Sequence, residues 1–127
     1  MHVSFQWETL DALLEEPNFR DMIAEWWEEM SPLKVRQVVD WAAMAAENHA
    51  GYLHIWTARV DKTLAGFVRF YVLRPPEHSN ALFAHERGYY LSPLFRDKAR
   101  IAWRLFRSAR TALKEELGVR TLSGTTI

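Results

Sequence analysis

Three long segments of strand-forming residues follow one another between residues 52 and 91. The first two, 52–60 and 63–73, are separated by only two residues, a spacing that predicts a β-hairpin. Residues 74–80 include two adjacent prolines, which excludes a central strand there and predicts a loop before the third strand, 81–91. A chain with this pattern must fold around an antiparallel sheet.

Helical patterns lie on both sides of this strand-rich region. The predicted helices are 8–16, 19–30, 31–48 and 99–117, and further strands are predicted at 2–7 and 119–122. Pro17 separates the first two helices, Ser31 and Pro32 begin the third, and Gly118 ends the last. The final strand–helix–strand is a βαβ unit, which pairs in parallel. We therefore predict an α+β fold, a mixed and largely antiparallel sheet between helices, as one domain over residues 1–127.

Composition limits the class of protein. The chain has 127 residues, 49% of them hydrophobic, which is enough for a core and argues against disorder. It has no cysteine, so neither disulfides nor thiolate chemistry can operate. No apolar run approaches the roughly 20 residues of a membrane helix, and the N-terminus lacks the pattern of a signal peptide. We expect a soluble, cytoplasmic protein without a membrane partner.

The net charge is zero, but the charges are unevenly placed. Residues 8–29 hold eight acids and one base, whereas residues 96–120 hold eight bases and three acids. Two binding faces of opposite charge would explain this asymmetry. The alternative is that the two regions complement each other or simply face solvent.

A basic turn joins the third strand to the longest helix. Its sequence, SPLFRDKAR, carries Arg96, Lys98 and Arg100 just before the helix begins. Helix N-termini offer unpaired N–H groups and a partial positive charge, and phosphates bind there. The turn is either a solvated connection or a seat for an anion.

The stretch YYLSPLFRDKARIAWRLFRSARTALKEELGVRTL resembles the GNAT family of acetyl-CoA-dependent N-acyltransferases. It is similar to the strand, pyrophosphate loop, helix and next strand of that family, and TLAGF at 63–67 resembles its glycine-containing strand. The resemblance covers nearly the whole chain, and it is greatest to the short members that bacteriophages encode. It implies transfer of an acetyl group from acetyl-CoA to a primary amine, a lysine or an N-terminus of a protein, such as a host protein.

The resemblance also implies where acetyl-CoA binds. Arg96 matches the residue that opens the family's pyrophosphate loop, and the backbone of 97–102 would wrap the pyrophosphate. Backbone N–H groups near Tyr90 and Leu91 would polarise the thioester carbonyl. The implied cofactor-binding residues are Tyr90, Leu91, Ser92, Arg96, Asp97, Lys98, Ala99, Arg100, Ile101 and Ala102.

Acyl transfer also needs a base and a site for the acceptor. Glu86 and His85 are the candidate bases, and neighbouring residues of a strand face opposite sides, so only one can face the cleft. We favour Glu86; the alternative is that both are solvated strand residues. The resemblance places Trp27 and Glu28 beside the acceptor. No ligand spacing predicts a metal site.

Two features depart from the family pattern. The loop has no glycine, with Ala99, Ile101 and Ala102 at its small positions, and Asp97 adds a like charge there. The sequence also stops after its fifth strand, where the family usually continues. The alternative function is therefore a catalytically inactive GNAT-like binding protein, for example a phage-type inhibitor of a host protein. We expect a protein or small amine as acceptor and a homodimer as a further partner, but not nucleic acid, because Tyr89 and Tyr90 are explained as strand residues.

Overall fold

The computed structural model describes residues 1–30 and 37–124. These ranges contain five strands and four α-helices, with short 3₁₀ turns at Pro76–His78 and Pro93–Phe95. In chain order they are β1 (Val3–Glu8), α1 (Leu10–Leu14), α2 (Phe19–Met30), α3 (Trp41–His49), β2 (Leu53–Val60), β3 (Thr63–Leu73), β4 (Leu82–Leu91), α4 (Ile101–Leu117) and β5 (Val119–Gly124).

The strands form one sheet in the order β1-β2-β3-β4-β5. The first four pair antiparallel, and β4 pairs with β5 in parallel, so the predicted mixed sheet is confirmed. The hairpin between β2 and β3 turns at Asp61 and Lys62, whose φ values of 49° and 73° are those of a two-residue turn that follows the strand twist.

Two apolar cores lie on the two faces of the sheet. On one face α1 and α2 bury Leu10, Phe19 and Ile23 against strand residues that include Phe67. On the other face α4 buries a stripe of side chains, which includes Ile101 and Leu105, against the sheet. The layers are therefore helices, sheet and one long helix, which leaves α4 with a fully outward face.

The third helix is shorter than the sequence predicted. It begins at Trp41 because Asp40 caps it: the Asp40 carboxylate accepts a hydrogen bond from Ala43 N at 2.9 Å. Residues 37–40 are not helical, and the predicted start at Ser31 and Pro32 lies outside the described residues. None of the helices in residues 1–30 and 37–124 is both long and apolar enough to cross a membrane.

The ends of the other helices also have local causes. Helix α1 begins at Leu10 rather than residue 8, because Glu8 is still paired in β1 and Thr9 caps the helix with a 3.1 Å bond from Ala12 N. Helix α4 ends at Gly118 as predicted, with φ 73° and an N–H bonded to Leu113 O.

Candidate active site

Strand β4 contains a bulge at its centre. Phe70 pairs with Glu86 and Val68 pairs with Tyr89, so Arg87 and Gly88 lie opposite a single residue of β3. Gly88 has φ 119°, a conformation that side chains other than glycine rarely adopt. The bulge therefore depends on this glycine.

Strand β5 pairs with only the first half of β4. The pairing runs from Leu82 with Val119 to Glu86 with Gly124, and the described part of β5 ends there. Within residues 37–124, the second half of β4 thus lines a gap in the sheet. Ser92 N donates to Ala65 O at 2.8 Å, so the antiparallel alternation points Tyr90 N–H at β3 and Leu91 N–H at the gap.

Glu86 lies where the gap opens. Its side chain is only 5% exposed, and its Oε2 accepts a hydrogen bond from Gly88 N at 2.8 Å. The carboxylate therefore bridges the bulge, at the last residue of β4 that pairs with the described part of β5. His85, the other candidate base, is half-buried and hydrogen bonded through Nδ1 to Ser123 Oγ of β5 at 3.2 Å.

A buried arginine and a tryptophan support the bulge from the α2 side. Arg69 is 8% exposed, its Nη2 donates to Arg87 O at 2.9 Å, and its Cζ lies 4.6 Å from the ring centroid of Trp26. Burial and, to a smaller extent, the neighbouring Arg87 cation lower the pKa of Arg69 to about 10. Among residues 1–30 and 37–124, no acceptor lies within hydrogen-bond distance of Arg69 Nε or Trp26 Nε1.

The guanidinium of Arg96 ties the basic turn to α2. Arg96 Nε donates to Leu91 O at 2.7 Å, Nη2 donates to both carboxylate oxygens of Glu29 at 2.9 and 3.1 Å, and Cζ lies 5.2 Å from the Tyr90 ring centroid. Tyr90 in turn donates its hydroxyl hydrogen to Glu25. Burial, followed by this carboxylate, raises the pKa of Tyr90 to about 12. Arg96 therefore faces a protein carboxylate rather than the open side of the turn.

The turn that precedes α4 is left-handed at two residues that are not glycine. Ala99 and Arg100 have φ values of 51° and 52°, so the helix begins at Ile101 rather than at residue 99. Arg100, the N-cap residue, supplies no side-chain hydrogen bond to the first turn. The first N–H groups of the helix thus keep no side-chain acceptor from the cap, which suits an anionic ligand.

The remaining predicted residues differ in how they relate to this turn. Asp97 and Lys98 are exposed, Ser92 and Ala102 are half-buried, and Ile101 is buried in the core and offers only its backbone. On α2, Glu28 is exposed and Trp27 is half-buried with its ring 6.3 Å from that of Trp26. Trp26, rather than Trp27, is the tryptophan that reaches the bulge.

Sequence reasoning missed Arg69 and Gly88. The signals were present: TLAGFVRFYVL holds a single charge within an otherwise apolar strand, and a buried charge requires a specific environment. A glycine inside the strand LFAHERGYYL is typical of a bulge. The structure brings both residues together beside Glu86.

The geometry agrees with a comparison against known families. Residues 10–126 match the acetyltransferase (GNAT) family. The chain belongs to the GNAT family. No curated protein matched the chain.

Solved structures share this GNAT fold at low sequence identity. A ribosomal-protein-alanine N-acetyltransferase from Brucella melitensis biovar Abortus 2308 is 21% identical, with a TM-score of 0.71 over 99% of this chain and 81% of that one. An aminoglycoside acetyltransferase from an uncultured soil metagenomic sample, in complex with sisomicin, is 14% identical, with a TM-score of 0.73 over 98% and 78%. A predicted acetyltransferase from Clostridium acetobutylicum, with acetyl-CoA, is 9% identical, with a TM-score of 0.64 over 98% and 81%. At these identities the likeness concerns the fold.

Metal ligands do not cluster in the part of the chain that the structure describes. No group of three or more His, Cys, Asp or Glu side chains is placed there to hold an ion.

Proposed function

We propose that this GNAT protein transfers the acetyl group of acetyl-CoA to a primary amine, a lysine or N-terminus of a protein. One observation carries the proposal: the buried carboxylate of Glu86 lies where β5 leaves β4, on the same gap as Leu91 N–H. The gap leads along β4 to a basic turn and the start of α4. A base, a carbonyl-polarising donor and an anion seat therefore follow one another along one strand.

The turn fits the phosphates of acetyl-CoA. The start of α4 receives no side-chain cap, and Lys98 and Arg100 are exposed beside it. N–H groups of the first turn would hold pyrophosphate oxygens, and the two cations would neutralise their charge. Arg96 would contribute by holding the turn against α2.

Acetyl-CoA, when bound, supplies a thioester whose carbonyl carbon the amine attacks. Leu91 N–H would donate to the carbonyl oxygen, whose negative charge grows during the attack. Glu86 would take the proton that the amine must lose, directly or through one water, and the carbon–sulfur bond would break so that CoA leaves as the thiolate. Gly88 N donates to Glu86 Oε2, which holds the carboxylate at the bulge.

The acidic helices attract a cationic acceptor less strongly than their composition suggests. Five of the eight acids in residues 8–29 already contact protein donors or cations: Glu8 and Glu16 bind Arg59, Asp11 binds His49, Glu25 binds Tyr90, and Glu29 binds Arg96. The exposed acids Glu15, Asp21 and Glu28 would provide the attraction that we propose. The names of the structural relatives include both a protein and an aminoglycoside acceptor, so small amines belong in the test.

The alternative is a GNAT protein that binds a partner without catalysis. The left-handed Ala99 and Arg100 favour it, because a side chain stands where a glycine would leave the backbone open to a phosphate. The resemblance to short bacteriophage members would make a host protein the acceptor or the partner.

We place the protein in the cytoplasm. We also propose a homodimer through the outer edge of β5, because a strand at the edge of a sheet is open to pairing.

Incubation with acetyl-CoA and a panel of basic peptides or aminoglycosides, read by mass shift, tests the activity. We expect acetylation that is lost in Glu86→Gln while calorimetry still detects acetyl-CoA binding. The control is Glu115→Gln, which changes an exposed acid on α4. If the parent binds acetyl-CoA but Glu86→Gln acetylates equally well, Glu86 is not the base. If no acceptor is modified and acetyl-CoA does not bind, the binding-protein alternative is correct.

Light scattering at high micromolar concentration tests the proposed homodimer, and a monomer under these conditions contradicts it.

A further inference from the structure

The outward face of α4 is strongly basic. Residues 100–114 hold five bases and no acid. The buried stripe of the helix, which includes Ile101, Leu105 and Ala109, faces the sheet, so the bases lie on the opposite side. This basic face of α4 consists of Arg100, Trp103, Arg104, Arg107, Arg110 and Lys114. Since a helix rises about 1.5 Å per residue, the face is roughly 20 Å long.

An exposed tryptophan lies within this face, between two cations. Trp103 is 48% exposed, and the Cζ atoms of Arg100 and Arg107 lie 4.4 and 4.9 Å from its ring centroid. The two guanidinium groups hold the indole in a defined position next to positive charge. When one guanidinium turns from the ring to a neighbouring phosphate, it leaves that face of the indole for a nucleic-acid base to stack on.

Grooves continue the basic face on both sides of the helix. Toward β1, a groove of about 480 Å³ is lined by Phe5, Trp103, Arg104 and Arg107, and also by Glu116 at its far end. Toward β5, a groove of about 700 Å³ is lined by Arg110, Lys114 and Arg120, among others. The surface is therefore a broad basic strip with an aromatic ring near one end, not a pocket for one small molecule.

We propose that the basic face of α4 binds single-stranded nucleic acid, with RNA as the physiological form. Its length and its five bases match a run of several phosphates, and Trp103 requires an unstacked base, which a duplex does not offer. The expectation against nucleic acid depended only on Tyr89 and Tyr90. In the structure Tyr90 is buried and Tyr89 packs on Phe106 with 4.6 Å between ring centroids, so we assign base stacking to neither of them. The exposed aromatic residue of the basic face of α4 is Trp103.

Binding of a fluorescein-labelled poly(U) RNA of about 15 nucleotides, measured by anisotropy against salt, tests the proposal. With five phosphates neutralised on a single strand, affinity falls about a hundredfold between roughly 50 and 200 mM salt. Arg110→Gln and Lys114→Gln each reduce the slope of log K against log salt by about 0.7. Trp103→Ala weakens binding about tenfold without changing that slope, since stacking on one base is lost.

Arg74→Gln is the matched control, because Arg74 is exposed in the loop after β3 and does not belong to the basic face of α4. The proposal is overturned if the parent does not bind the RNA at about 50 mM salt, or if Arg74→Gln weakens binding as much as Arg110→Gln does. It is also overturned if poly-glutamate competes as well as RNA and Trp103→Ala binds normally, which would indicate an acidic protein partner. The proposal does not depend on acyl transfer, and Arg110→Gln and Lys114→Gln should leave acetyl-CoA binding unchanged.

Discussion

Trp26 lies directly against the backbone of Gly88. A Cβ atom built on Gly88 would come within 2.6 Å of Trp26 Cζ2 and 2.8 Å of Trp26 Nε1. The contact joins α2, which borders the proposed acceptor site, to the bulge beside Glu86. Helix and bulge therefore cannot move independently.

We predict that Gly88→Ala impairs both folding and the site. The new methyl group would meet the Trp26 ring and would also require a left-handed backbone, at a cost of about 1–3 kcal/mol in the free energy of unfolding. Denaturant unfolding measures this loss. Gly51→Ala is the control, because Gly51 is also left-handed but has open space where its Cβ would be, so it should cost less. Equal losses in the two variants would mean that Trp26 does not press on the bulge.

Arg96→Ala should weaken acetyl-CoA binding about tenfold, because the turn loses the charge-assisted hydrogen bonds to Glu29, worth roughly 1.5–3 kcal/mol, that hold it against α2. Arg96 holds Leu91 O and Glu29, so its loss loosens the turn as well as removing a charge. Calorimetric titration measures the affinity. Arg110→Ala, which removes an exposed base farther along α4, should leave the affinity unchanged; a similar loss in both variants would indicate only a general effect of charge.

Ala99→Gly should stabilise the protein. Glycine adopts the left-handed conformation of this position without the Cβ penalty, which is about 1 kcal/mol. For a domain of this size the melting temperature should rise by roughly 3–5 °C. Ala102→Gly, in the first turn of α4, should instead lower it, because glycine weakens a helix. A fall in both variants would argue against a left-handed Ala99.

Stability should fall in acid partly through Glu8. Burial alone would raise the pKa of Glu8, but hydrogen bonds from Arg59 and Thr57 outweigh it and hold the pKa below its usual value of 4.5. Because the folded-state pKa is the lower one, Glu8 stabilises the fold above pH 4.5, and this contribution is lost as the pH falls through the folded-state pKa. Glu8→Gln should therefore lower stability at pH 7 and flatten its decline below about pH 5.

Urea unfolding at a series of pH values measures this dependence. Glu115→Gln, at an exposed position of α4, should leave the curve of the parent unchanged. An equally steep acid decline in Glu8→Gln and the parent would contradict the role of Glu8.

Much of the fold was predictable because its signals are local. The hairpin at Asp61 and Lys62, the end of α4 at Gly118 and the order of the strands follow from residues close in the chain. The predicted helix 31–48 differs from α3 because residues 37–40 are not helical and Asp40 caps the helix at Trp41, while the Ser31 and Pro32 pattern lies outside the described residues.

The site was less predictable because its geometry depends on residues far apart. Arg96 was expected at a phosphate, but its partner Glu29 is 67 positions earlier in the chain. Arg69 and Trp26 meet only after α2 packs on the sheet. No pattern within the basic turn indicates that Ala99 and Arg100 are left-handed, because that conformation is set by the junction of β4 and α4.

Two side-chain hydrogen bonds join α2 to the end of β4 and the basic turn: Glu25 with Tyr90, and Glu29 with Arg96. They have a thermodynamic consequence. One helix borders the proposed acceptor site and also fixes the proposed cofactor turn, so the two ligands act on a shared element. Whatever factor acetyl-CoA contributes to acceptor affinity, the acceptor must contribute the same factor to acetyl-CoA affinity. Glu29→Gln would then change the dissociation constants of both ligands. It would also reduce the factor by which each ligand changes the affinity of the other.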